Sequence, residues 1–313
     1  MSRKTSFKEQ MFRCLNSKNC FGKSKHLAKL ESYRNGHKGV VDGIYSKKTM
    51  QDYKRVAQQF HSWQREKGYN FHSMKEVNSS ILKDYLLERQ SKGLSSWTIS
   101  HDLSALNKIF GTSISKKECG LAPRHTSNIK NNRGLAQNYR SSIQARNKDM
   151  IAFISACGIR RQSLTTITPG AAIRDKDNMV IGFSVIEKGG KHRNCYVRSE
   201  CQKEITSFVD THINNYGNKP FWNKVDKNLN THWYRGVYAN GLYQDLLNAK
   251  KNGVDYFKGY KSLFINHNKF INAIKGHSQS VKGYDVECLA MVSQNMGHNR
   301  IDVVYTNYLG HIS

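Results

Sequence analysis

Three stretches between residues 46 and 110 repeat apolar side chains at helical spacing, each bounded by residues that start or stop helices. Tyr53, Val56, Phe60 and Trp63 make the first stripe, with Ser46 placed to cap the first turn and Gly68 to end it. Ile81, Leu82, Tyr85 and Leu86 make the second, between Ser79 and Gly93. Ile99, Leu103, Leu106 and Phe110 make the third, with Ser95 or Ser96 as its cap. Amphipathic helices joined by short loops can bury such stripes against one another, so the spacing predicts a helical bundle of about 70 residues. Proline occurs only at 123, 169 and 220, so long helices are open to most of the remaining chain.

Residues 1–43 are rich in Lys, Gly and Asn with weak periodicity and read as a basic arm with at most one short helix. The bundle follows over 44–115. Residues 116–140 lose the periodicity and read as a basic linker. Residues 141–313 form a second domain. In it "KDMIAFISACGIRRQSLTTI" predicts helix, glycine turn and helix. "MVIGFSVI" and "RNCYVRSE" predict two strands joined at "EKGGKH". "NTHWYRGVYANGLYQDLLNAKK" and "DVECLAMVSQNMG" return to helix, the latter ending at Gly297. Residues 250–285 are Lys/Asn/Gly-rich with interleaved aromatics, and no element is assigned to them.

The charge narrows the function. Fifty Lys and Arg against 23 Asp and Glu give a formal +27, a self-repulsion best tolerated beside a polyanion. Nucleic acid is the expected partner, because Lys and Arg displace the counterions condensed on phosphates. No apolar run approaches the roughly 20 residues of a membrane span, and the N-terminus lacks the apolar block of a signal peptide, so a cytoplasmic location is expected. The seven cysteines lack metal-ligand spacing, so reduced thiols, no metal and no cofactor are expected.

Five short features carry chemistry. "CGIRRQSL" sets Arg160 and Arg161 after a glycine, and the hairpin carries Lys188, Lys191 and Arg193. "THWYR" puts His232 and Arg235 on one helical face. His298 follows Gly297, and Tyr305 and Tyr308 stand near the end. Singly, each is most simply surface charge, a cap or a packing residue.

In this order the features resemble the tyrosine recombinase (phage-type integrase) family over roughly residues 44–313. The resemblance implies a mainly α protein with a small β-sheet: an N-terminal SAM-like helical core-binding domain and a C-terminal α+β catalytic domain. It places the first arginine role on Arg160. It places the hairpin lysine at Lys188, with Lys191 a near alternative, and the His-x-x-Arg pair at His232 and Arg235. His298 matches the Gly-His segment. Three departures stand out. A Glu or Asp often lies three residues after the first arginine, where this chain has Ser163. The interval from Arg235 to His298 is long, with the excess in 250–285 as an insertion. The nucleophile usually lies nine residues after the histidine, where this chain has Asn307. Tyr308, followed by "LG" as in related integrases, is assigned as nucleophile and Tyr305 as a packing residue.

The implied activity is site-specific DNA recombination through a covalent 3′-phosphotyrosyl intermediate, serving a phage or another mobile element. Arg160 and Arg235 would hold the non-bridging oxygens, Lys188 would protonate the departing 5′ oxygen, and His232 would accept the tyrosine proton before His298. Double-stranded DNA attachment sites, a homotetramer assembled on DNA and accessory DNA-bending proteins are the implied partners. The alternatives are a type IB topoisomerase-like nicking-closing enzyme and a degenerate recombinase that only binds DNA.

Overall fold

A computed structural model describes residues 5–37, 39, 41–124, 141–187 and 191–309. The chain divides into two compact units, Met1–Ile129 and Lys130–Ser313.

The first unit is helical: α1 (Phe7–Ser17), α2 (Lys25–Arg34), α3 (Lys47–Glu66), α4 (Ser79–Ser91) and α5 (Ser96–Phe110). Polar side chains start the last three, Ser46 and Ser95 as the sequence expects and Asn78 in addition. Ser46, Asn78 and Ser95 accept from the backbone N–H of Thr49, Ile81 and Thr98, at 3.1, 3.1 and 3.2 Å. Each satisfies one of the donors that an opening turn leaves orphaned. Phe60 sits fully buried at the centre, its ring centroid 5.6 Å from Trp63, 5.3 Å from Tyr85 and 5.4 Å from Phe110. Buried Asp102 accepts from Arg89 Nε at 2.8 Å, which meets the need of a desolvated carboxylate for a partner.

The stretch read as a basic arm contributes to this core. Phe7, Met11 and Leu15, four residues apart, are buried along one face of α1, which packs on α3 and α5. The stripe is three residues long in a Lys/Asn-rich segment, and that is why periodicity alone is weak there. The reading of 116–140 as linker also shifts at its start. Cys119 and Leu121 are buried in the same core, and Ala122 N–H donates to Gln90 Oε1 at 2.8 Å. Residues 125–140 lie outside the described residues.

The second unit opens with α6 (Ser141–Arg146) and α7 (Lys148–Cys157). The helix expected after Arg160 shortens to a 3-10 turn over Ser163–Thr165. Its continuation "TTITP" explains this, because four β-branched residues run into a proline that disfavours helix before it. An antiparallel sheet follows in the order β1 (Ala172–Arg174), β2 (Val180–Glu187), β3 (Lys191–Tyr196). Its register pairs Phe183 with Cys195, Val185 with Arg193 and Glu187 with Lys191. Then come α8 (Gln202–Tyr216) and α9 (Thr231–Lys251).

Helix α9 is buried on several faces and lies between two cores. Tyr234 joins a cluster with Phe153, Phe183 and Phe221, while Tyr238, Leu242 and Leu246 join a second with Leu289 and Val292. Each large apolar side chain so buried contributes roughly 1.5–3 kcal/mol. Residues 250–285 hold α10 (Lys261–Phe264), α11 (His267–Ile274) and the hairpin β4 (Ser280–Val281) and β5 (Tyr284–Asp285). Phe257 and Phe264 tie this segment to the second core. The described chain ends in α12 (Val286–Asn295), α13 (Ile301–Asn307), Tyr308 and Leu309. Among the described residues, no helix is long and apolar enough to cross a membrane.

Candidate active site

The C-terminus of α12 organises the site. Gly297 N–H donates to the Gln294 carbonyl and His298 N–H to the Ser293 carbonyl, both at 2.8 Å. These two bonds, with Gly297 at φ +73°, form a Schellman cap. The Gly-His pair in the sequence thus has a local physical reason. Glycine takes the left-handed position and histidine follows it, carried out of the helix at a fixed angle.

A helix end also leaves carbonyl oxygens without intrahelical donors at the negative end of its dipole. Three guanidinium groups fill them. Arg160 Nη2 donates to Met296 O at 3.0 Å and Gly297 O at 3.1 Å. Arg235 Nη2 donates to Met296 O at 3.2 Å, and its Nη1 bonds Gly158 O at the end of α7. Arg193 bonds Asn295 O. A side chain at Gly297 would crowd two of them, since an added Cβ would stand 2.9 Å from both Arg160 Nη1 and Arg193 Cδ. Gly158 has a parallel role: at φ +62° it closes α7 against the Tyr238 ring and turns the chain toward Arg160.

Tyr308 follows α13 and is 4% exposed, with its N–H bonded to Val304 O. Its hydroxyl lies 3.1 Å from His298 Nε2. His232 stacks on its ring at 4.8 Å between centroids and 10° between planes. The Arg235 guanidinium carbon lies 6.0 Å from the ring centroid. Arg160, His232, Arg235 and Tyr308 line one cleft of about 480 Å3 with Glu187 and Gly297. A larger cleft, about 860 Å3 between Arg146 and Lys227, shares no wall residue with it.

The structure therefore brings together five of the six residues singled out in the sequence. Lys188, the sixth, lies outside the described residues, and β3 begins at its alternative, Lys191. Tyr305 packs at the edge of the second core beneath Lys282, whose Nζ is 5.2 Å from its ring centroid.

Sequence reasoning passed over Glu187 and gave Arg193, noted on the hairpin, no role in the site. Glu187 and Arg193 are both buried, and Arg193 Nη2 donates to Glu187 Oε1 at 2.6 Å. The other oxygen, Oε2, pairs with Arg160 Nη1. The signal was the two-residue period of β2. Val185 and Glu187 face inward while Ile186 between them is 62% exposed, so the alternation places a carboxylate on the core face.

Crowding shapes the electrostatics. Burial, then the charges of Arg235 and Arg193, bring Arg160 down to about 10, where it stays cationic at neutral pH. Burial also lowers Arg235, and the Tyr308 oxygen partly offsets this. His298 is pushed down to about 3 by burial first and then by Arg235, Arg160 and Arg193. Above pH 6.5 this histidine is neutral folded or unfolded and contributes no pH dependence. Between 6.5 and about 3 only the unfolded chain takes the proton, so stability falls as pH falls. The slope from this one group approaches about 1.4 kcal/mol per pH unit. Denaturant unfolding at pH 7 to 4 is expected to show a shallower slope in His298→Asn than in the unaltered chain. Equal slopes would remove this account of the imidazole.

Residues 41–117 match the phage integrase N-terminal SAM-like domain. No curated protein matches the chain. Among solved structures, the XerH site-specific recombinase bound to a palindromic difH substrate aligns over 87% of this chain and 96% of its own, at 15% identity and TM-score 0.45. The Tn1549 transposon integrase in complex with circular intermediate DNA aligns over 83% and 96%, at 16% identity and TM-score 0.38. XerA recombinase aligns over 92% and 94%, at 13% identity and TM-score 0.29. The chain thus carries a stretch similar to the phage integrase N-terminal SAM-like domain over residues 41–117.

Proposed function

We propose that this protein is a site-specific DNA recombinase of a mobile element, cutting and rejoining duplexes through a 3′-phosphotyrosyl bond on Tyr308. The observation that carries the reading is the placement of one buried tyrosine hydroxyl against His298 Nε2, in a cleft shared with Arg160, His232 and Arg235. The SAM-like match and the +27 charge point to the same substrate, duplex DNA.

The chemistry follows from what a phosphodiester requires. Attack drives negative charge onto the non-bridging oxygens, and pre-set guanidinium groups stabilise that charge without reorganising. Arg160 and Arg235 supply them. Their anchorage on carbonyls at the ends of α7 and α12 fixes both groups before DNA arrives. The Tyr308 Oη–P bond forms as the P–O5′ bond breaks, conserving phosphodiester energy for rejoining.

The phenolic proton passes to an imidazole. The sequence reading favoured His232. His298 is better placed, with Nε2 at 3.1 Å from Oη, while His232 lies flat on the ring and fixes its orientation. The arginine charges that depress the His298 basicity are offset when an anionic phosphate binds, so its proton affinity rises as the substrate enters. Lys188, from the hairpin, is assigned the proton for the leaving 5′ oxygen, and a DNA-bound homotetramer is assigned the exchange between two duplexes.

Nicked suicide duplexes tiled across the DNA flanking the gene test this reading. Cleavage near the nick releases a short strand and traps the covalent form. The expected result is a protein–DNA adduct that survives detergent and leaves a free 5′-hydroxyl. Gel-shift binding without an adduct on any tile would leave a DNA-binding protein and refute the catalytic reading. Relaxation of plasmids lacking those tiles would instead indicate a nicking-closing enzyme.

A further inference from the structure

We infer that Glu187 is a positioning residue for the phosphate-binding Arg160, holding it together with Arg193 from the last position of β2. The inference rests on the recombinase reading above. Among the described residues, no other carboxylate pairs with Arg160, Arg193 or Arg235. The Glu187 side chain is 3% exposed, and its two oxygens divide between the two guanidinium groups.

The placement has three consequences. A desolvated carboxylate needs charged partners to remain ionised, and two desolvated arginines side by side need an anion between them. Glu187 meets both needs at once. It also completes the anchorage of Arg160: two N–H groups go to Met296 O and Gly297 O, and a third goes to Glu187. Since a guanidinium has five N–H donors, about two are left for a phosphate. Finally, it sets the charge of the site. Glu187 offsets part of the positive charge that Arg160, Arg193 and Arg235 bring to the end of α12. Ser163, three residues after Arg160, is buried and brings no charge, so the balancing carboxylate comes from the strand.

The assignment separates holding an arginine on a charged oxygen from holding up the fold. The test compares initial rates of adduct formation for the full chain and for Glu187→Gln on two suicide duplexes. One carries the ordinary scissile phosphodiester. In the other a methyl group replaces one non-bridging oxygen, removing the negative charge that Arg160 must meet. On the ordinary duplex Glu187→Gln is expected to be slower by about 30-fold, the range for losing a group that orients a primary ligand. On the methylphosphonate the two proteins are expected to differ by less than about 3-fold, with gel-shift binding unchanged on both.

Equal losses on both duplexes, or none on the ordinary one, would overturn the inference while leaving the recombinase reading standing. Absence of any adduct with the unaltered chain would overturn both. If Glu187→Gln lacks a cooperative melt, Glu187→Asp replaces it. That variant keeps the charge one methylene short, and it is expected to show a smaller loss on the ordinary duplex that again disappears on the methylphosphonate. A loss of equal size on the two duplexes would overturn the inference here too.

Discussion

Tyr308→Phe is expected to lower covalent attachment to a nicked duplex by at least about 10⁴-fold, the scale of removing a nucleophile, with unchanged gel-shift affinity. The substitution deletes one oxygen. The ring remains between His232 and the second core, where phenylalanine fits as well as tyrosine. DNA affinity rests chiefly on Lys and Arg contacts to phosphates, none of which this change removes. Tyr305→Phe is expected to attach at close to the unaltered rate, because Tyr305 packs under Lys282 and is not a wall of the cleft. A reversed pattern would move the nucleophile by three residues and break the hydroxyl–His298 contact as the organising feature.

Arg235→Lys is expected to carry the second largest effect, about 10³-fold on the cleavage rate, the scale of removing one oxyanion donor. Charge is preserved, so charge alone does not explain the size. Arg235 is 4% exposed and spans two helix ends, reaching Gly158 O from one nitrogen and Met296 O from another. A lysine ammonium is a single point that cannot reach both carbonyls and also present a donor to phosphate. One buried carbonyl then loses its partner, at about 1–3 kcal/mol of stability in a thermal melt. Met296 O keeps Arg160, so Gly158 O bears the loss. A variant that melts lower but cleaves at the original rate would make Arg235 structural only.

Local rules made part of this legible in advance. Ser46 and Ser95 cap their helices because short-range hydrogen bonds decide a helix start, and Gly297 ends α12 for a similarly local reason. The ordered set of Arg160, His232, Arg235, His298 and Tyr308 was readable as a family pattern and proves to line one site. What escaped depends on longer range or shorter elements. Helix α1 shows a stripe of only three residues, and its role appears only once α3 and α5 offer a surface. Helices α10 and α11 and the β4–β5 hairpin are two to eight residues each, too short for a period to accumulate. The missing carboxylate at Ser163 looked like a loss because its replacement lies on a different element. Glu187 meets Arg160 across 27 residues (187 − 160), a pairing set by strand register and not by spacing.

The central claim is that the Tyr308 hydroxyl is the atom that attacks DNA. Mass spectrometry of the trapped adduct tests it most directly. Trypsin cleaves after Arg300, and residues 301–313 contain no Lys or Arg, so both tyrosines travel in one fragment. Backbone fragmentation between 305 and 308 separates them. The account predicts a nucleotide phosphate carried on Tyr308; the same mass carried on Tyr305 would contradict it.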